Sequence, residues 1–372
     1  MEIFDTIAPI DNRYFDPTCT EYLSDAAFLK YKIKVELALV KTLCKRGICT
    51  KAIYEEVEKA CKQITTAEVA IEEERIGHDV RAMVNCTKAK VSDKAKPYIH
   101  MFATSYDIVN TANALRFKEI CNKVVIPELI KLESTLIDIV TKSVSTAQIG
   151  RTHGQHAVPI TFGFAIAQYV DRLGELLELM ICLTNLPGKF SGACGAYNAL
   201  SLVMDDPEQF ETDVLIELGL HPARISTQIV PPEETIKLFS HLRLMSGVMA
   251  NLADDMGGLQ RTEIAEVSEV FRINQVGSST MPQKRNPINF EKVKSLWKII
   301  FSRIDTIYLD QISEHQRDLT NSASSRTYGE ILGSPKRRLR EWPNIGAMLW
   351  HFSQLTISRP QKTQRTSSPS LD

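Results

Sequence analysis

Between Phe162 and Leu183, Ile166, Tyr169, Val170, Leu173, Leu176, Leu177, Met180 and Ile181 recur at helical spacing. That pattern predicts a helix with one buried apolar face. Leu29, Ile33, Leu37, Val40, Leu43 and Cys44 form an earlier stripe, and Gly47 marks its stop. Leu129, Leu132, Leu136, Ile137 and Val140 form another after Pro127, which can sit in a helix's first turn. Phe239, Leu242, Met249 and Leu252 repeat the pattern from Glu233 to Leu259, and a further one runs from about Phe290 to Ile312. Strand-like alternation is scarce. The expected fold class is all-α: an elongated long-helix bundle with a smaller N-terminal helical domain.

At 372 residues the chain suits two or three domains. Its 44 Lys+Arg balance 45 Asp+Glu. That balance argues against a nucleic-acid partner or a polybasic membrane surface. No apolar run approaches the roughly 18 residues of a membrane span, and the first residues show no secretory pattern. The eight cysteines are scattered, without Cys-x-x-Cys or zinc spacing. They read as thiols in a reducing compartment, so a cytoplasmic location is expected. Phosphate-loop, dinucleotide, nucleophile-elbow and zinc-hydrolase motifs are absent. No metal or cofactor is expected.

A bundle needs only short connections, so long polar loops are where function is expected. Such loops fall at 150–163, 187–201, 221–234 and 276–289. The most informative is Gly277-Ser278-Ser279-Thr280-Met281-Pro282-Gln283-Lys284-Arg285-Asn286-Pro287. Small residues followed by cations and an amide can turn N–H groups and positive charge toward an anion. The string resembles the fumarase/aspartase superfamily signature, Gly-Ser-Ser-x-Met-Pro-x-Lys-x-Asn-Pro, at every fixed position. Gly150-Arg151-Thr152-His153-Gly154-Gln155-His156, Gly77-His78-Asp79-Val80, Thr104-Ser105-Tyr106-Asp107 and Arg13-Tyr14 narrow the resemblance to the adenylosuccinate lyase family. Ile225-Ser226-Thr227-Gln228 and Arg317-Asp318-Leu319-Thr320-Asn321-Ser322, reaching Arg326, agree with it. The similarity runs from about residue 10 to 333.

The resemblance implies a β-elimination that releases fumarate from adenylosuccinate, and from the succinylated aminoimidazole carboxamide ribotide. It also implies a homotetramer whose active sites are shared between subunits. Loss of a proton beside a carboxylate builds a dianionic carbanion, so donors and cations must sit where that charge develops. A base and an acid are needed on opposite faces. By motif position, Ser278 is the candidate base, with Lys284 and loop amides stabilising its alkoxide; Ser279 would bind a substrate carboxylate, and the two serines could exchange roles. His153 is the candidate acid, with His156 a competitor. His78 would contact substrate or orient His153. Arg13, Tyr14, Arg285, Arg317, Ser322 and Arg326 would supply phosphate and carboxylate contacts. Asp79, Thr104, Ser105, Gln228 and Asn286 complete the expected substrate-binding set. The Gly-rich stretch at 191–195 either touches substrate or permits close packing; the sequence leaves both open.

The expected organisation is an N-terminal helical domain (1–107), a central long-helix bundle with catalytic loops (108–333), and an atypical basic tail (334–372). From Ser334 onward seven Lys/Arg face two Asp/Glu, and Ile345 to Leu355 could form a short amphipathic helix. In the resembling family a last bundle helix and a C-terminal domain would follow instead. Two alternatives therefore accompany the expected activity. One is another lyase of the superfamily, such as one acting on argininosuccinate. The other is a catalytically silent truncated form that only assembles with full-length chains.

Overall fold

A computed structural model describes residues 17–269 and 276–332. Arg13, Tyr14 and the 345–355 segment lie outside the described residues. After a short helical turn at Thr20–Leu23, Ser24 accepts the N–H of Ala27 and starts α1, Asp25–Lys45. Gly47, at φ +72°, ends that run as the sequence predicts. Three shorter helices follow: α2 (Lys51–Cys61), α3 (Thr66–Ile76) and α4 (Asp79–Ala89).

The long helices carry the architecture. α5 (Ser105–Ile120) passes through a π turn at Cys121–Val125 directly into α6 (Ile126–Lys142). Pro127 explains the π turn: it has no N–H for the carbonyl one turn back, and a wider turn relieves its ring clash. Pro127 sits in the first turn of α6, as the sequence predicts, with the π turn joining that helix to α5. α7 (Phe162–Leu183), α9 (Glu233–Leu259) and α10 (Ile288–Leu309) complete the bundle, with short α8 (Pro207–Ile216) and α11 (Tyr328–Leu332) beside it.

Pairings along α7 and α9 set their direction. Tyr169 donates to Asp255, Arg172 reaches Asn251 at 3.0 Å, and His241 meets the Leu176 carbonyl at 2.5 Å. The two helices are therefore antiparallel. α10 packs against α9, and its buried Phe290, Val293, Leu296, Ile300, Ile304 and Ile307 keep helical spacing. At roughly 1.5 Å per residue, the 27 residues of α9 span about 40 Å.

Two sequence expectations need correction. The segment read as a polar loop at 150–163 is largely a β-hairpin, β1 (Ala147–Thr152) and β2 (Gln155–Thr161). His153 and Gly154 form its two-residue turn, at φ +54° and +73°. Two successive positive φ angles are what a tight hairpin turn requires. The strands were missed because their residues are mostly exposed, so no alternation between a wet and a dry face marks them. Second, Ile181, assigned to the buried stripe of α7, is 55% exposed, alongside Leu179 and Phe164. Ile130 and Ile137 on α6, Leu244 on α9 and Phe301 on α10 are also exposed, so the bundle surface retains apolar side chains.

Candidate active site

The expected site residues that lie among the described residues fall into two groups at opposite ends of the bundle. Gln228 precedes the start of α9, and Arg317 follows the end of α10; Arg317 Nη1 donates to Gln228 Oε1 at 3.1 Å. At the other end, Gln260, just past α9, donates to the Arg285 carbonyl at 3.3 Å, just ahead of α10. The 22 residues of α10 put about 33 Å between these ends.

The first end holds a cleft of about 420 Å³. His78, Asp79, Ser105, Arg317, Ser322 and Arg326 all line it. His78 is the N-cap of α4: its Nδ1 accepts the Arg81 N–H at 3.3 Å. The neutral ring then carries its proton on Nε2, 3.3 Å from the Ser105 hydroxyl. Asp79 pairs with buried Lys32 at 3.0 Å. Burial pushes the Asp79 carboxyl up, but Lys32 outweighs it and holds the pKa below the usual carboxylate range. Thr104 caps α5, its N–H donating to Asp107 at 2.8 Å.

Asp107 also fixes the Gly-rich stretch. It is fully buried, pairs with equally buried Lys189, and accepts the N–H groups of Ser191 and Gly192 at 3.1 and 3.2 Å. Gly195 sits at φ +78°, and a Cβ there would lie 2.1 Å from the Ser226 carbonyl oxygen. The glycine thus permits close packing of 191–195 on the segment leading to Gln228. Nothing among the described contacts turns this stretch into the cleft.

The second end carries His153 and the signature loop. His153 is exposed at the hairpin tip. The hairpin's first strand is tied down by Arg151, paired with Glu266, and by Gln148, which reaches the same carboxylate at 2.9 Å. The signature loop is closed by Asn286 Nδ2 donating to the Gly277 carbonyl at 2.9 Å. Half-buried Ser278 accepts the N–H groups of Thr280 and Met281 at 3.3 and 3.1 Å. Two such donors favour an alkoxide over a hydroxyl. Ser279, Lys284 and Arg285 are exposed on the loop surface. Buried Glu269 accepts from Asn289 and Phe290 in the first turn of α10, which anchors the loop's far side.

Several participants carried no sequence signal. Lys32 and Glu266 are distant in sequence from the motifs they hold, and Lys189 and Glu269, though nearer, belong to no motif. Tyr106 was a variable position within a quoted motif, yet its ring underlies Arg317 at 3.8 Å. Among the described residues no group of three His, Cys, Asp or Glu gathers as a metal site. No helix among them is long and apolar enough to cross a membrane.

A model of the family described as lyase matches residues 11–301, so the chain is a member of that lyase family. Two solved structures share the fold. One is a fumarate lyase from Mesorhizobium sp. BNC1, with TM-score 0.79 and 20% identity, covering 93% of this chain and 76% of that one. The other is the 3-carboxy-cis,cis-muconate lactonizing enzyme from Pseudomonas putida, with TM-score 0.82 and 23% identity, covering 94% and 77%. Sequence relatives are more specific. The adenylosuccinate lyase of Pyrococcus abyssi is 37% identical over 324 residues, 86% of this chain and 71% of that protein. That of Archaeoglobus fulgidus is 33% identical over 327 residues, with the same coverage. The chain belongs to the adenylosuccinate lyase family.

Proposed function

We propose that the protein cleaves adenylosuccinate to AMP and fumarate, and cleaves the succinylated aminoimidazole carboxamide ribotide in the same way. The observation that carries this reading is the signature loop. In a chain 37% identical to a named adenylosuccinate lyase, it presents Ser278 to two backbone donors. Ser278 removes the proton next to the substrate carboxylate. The loop N–H groups and Lys284 offset the charge on the alkoxide, and Ser279, Arg285 and Asn286 hold the dicarboxylate. His153 protonates the departing nitrogen. The cleft at the far end supplies Arg317, Ser322 and Arg326 for the nucleotide phosphate, with His78, Asp79, Thr104, Ser105 and Gln228 around the remainder of the ligand. Arg13 and Tyr14 join that set by motif position.

One chain cannot bring both groups to one substrate across about 33 Å. Chains packed with their bundles antiparallel would place one chain's cleft against another's signature loop. The exposed apolar residues of α6, α7, α9 and α10 supply surface for such packing. A homotetramer with shared sites is the assembly we propose.

The test is ultraviolet detection of fumarate release by the purified 372-residue chain with each succinylated substrate. Turnover of both supports the reading. Turnover of argininosuccinate instead would identify a different lyase, and no release from any substrate would sink the enzymatic reading altogether.

A further inference from the structure

Arg116 is the most unusual charged residue in the bundle. It lies on α5 among Ala112, Leu115, Phe117 and Ile120, and is only 6% exposed. A buried guanidinium normally has a carboxylate partner. Arg116 has none within ion-pair distance among the described residues. Its Nε donates to Asn113 Oδ1 at 2.8 Å, and its guanidinium carbon lies over the rings of Phe28 and Phe117, 4.1 and 4.9 Å from their centres. Asp25 acts on it only through space. Burial lowers the guanidinium pKa to about 10, so the group remains charged at neutral pH. Arg116 lines the same cleft as Arg317, Ser322 and Arg326.

An arginine held against two aromatic rings and oriented through Nε has its terminal N–H pair preorganised for a planar or tetrahedral anion. We infer that Arg116 is a further substrate-binding residue, seating the phosphate monoester of the nucleotide at the buried side of the cleft. This rests on the nucleotide reading of that cleft. In the role assigned here, Arg317 and Arg326 meet the phosphate from the solvent side, while Arg116 supplies a desolvated charge that makes binding depend on the phosphate.

The experiment uses the full chain and compares AMP with adenosine by calorimetry, because neither requires turnover. Wild type is expected to bind AMP at least tenfold more tightly than adenosine. Arg116→Met, which keeps an apolar filler beside the two rings, should lose at least tenfold in AMP affinity and less than twofold in adenosine affinity. Arg116→Lys, which keeps the charge without the planar fork, should fall between; if the Met variant does not fold, the Lys variant's AMP-to-adenosine ratio decides. Equal losses for the two ligands, AMP binding within twofold of wild type, or a wild type indifferent to the phosphate would each overturn the proposal. A wild type that discriminates AMP from adenosine but releases no fumarate would defeat the proposed reaction and leave the role of Arg116 standing.

Discussion

The guanidinium of Arg317 stacks on the ring of Tyr106 at 3.8 Å, while its Nη1 holds Gln228 at 3.1 Å. Residues 106, 228 and 317 come from three separate segments, and together they fix one cation at the cleft wall. A lysine retains the charge but loses the stacking plane and the fork. Arg317→Lys is expected to raise KM for adenylosuccinate at least tenfold, and Tyr106→Leu to raise it less. Steady-state kinetics decide: an unchanged KM in Arg317→Lys would mean that only charge matters there.

Ser278→Ala removes the proposed base and no anion contact. Turnover should disappear while substrate still binds, as measured by calorimetry. Retention of more than about a tenth of the rate, a barrier change under about 1.4 kcal/mol, would remove Ser278 from that role and turn attention to Ser279.

His153 occupies a left-handed turn position that asparagine also tolerates. His153→Asn should therefore leave the melting temperature within a degree or two of wild type and abolish most turnover. His156→Ala should lower turnover only modestly. A more damaging effect at His156 would exchange the two assignments.

Because His78 and Ser278 lie at opposite ends of one bundle, chains defective at each should complement. After unfolding and refolding an equal mixture of His78→Ala and Ser278→Ala chains, about a quarter of shared sites would have both residues intact. Recovered fumarate release, against none from either variant refolded alone, supports sharing. Mixed tetramers without recovered activity would mean the two ends do not meet in one site.

Glu133, on α6, is held above the ordinary carboxylate range at about 7 by burial. One of its carboxyl oxygens has no hydrogen-bond partner. The folded protein thus keeps a proton that the unfolded chain releases near pH 4.5. Stability from this group is full below that value and is lost as pH rises to about 7. Glu133→Gln stays neutral and should flatten this dependence, raising Tm by about 2 °C at pH 8 with little change at pH 4. A Tm difference independent of pH would show that Glu133 does not titrate in this range.

The long helices were legible because each has to bury an apolar face, and the 3.6-residue period is written directly in residue order. The run Phe162–Leu183 and the run Glu233–Leu259 match the observed helices at both ends. The signature loop and the His-Asp-Val and Arg-Asp segments were equally visible, since each is contiguous. Tertiary structure decided what contiguity cannot encode. The exposed hairpin under His153 lacks a dry face, so it left no alternation to read. Burial of Arg116 is set by Phe28, a residue on another helix, and the close packing at Gly195 by Ser226, thirty-one residues away. Above all, the division of the motifs between two ends of the bundle follows from helix direction. That direction arises from packing between α7, α9 and α10, because side-chain burial selects an antiparallel arrangement that no local pattern specifies.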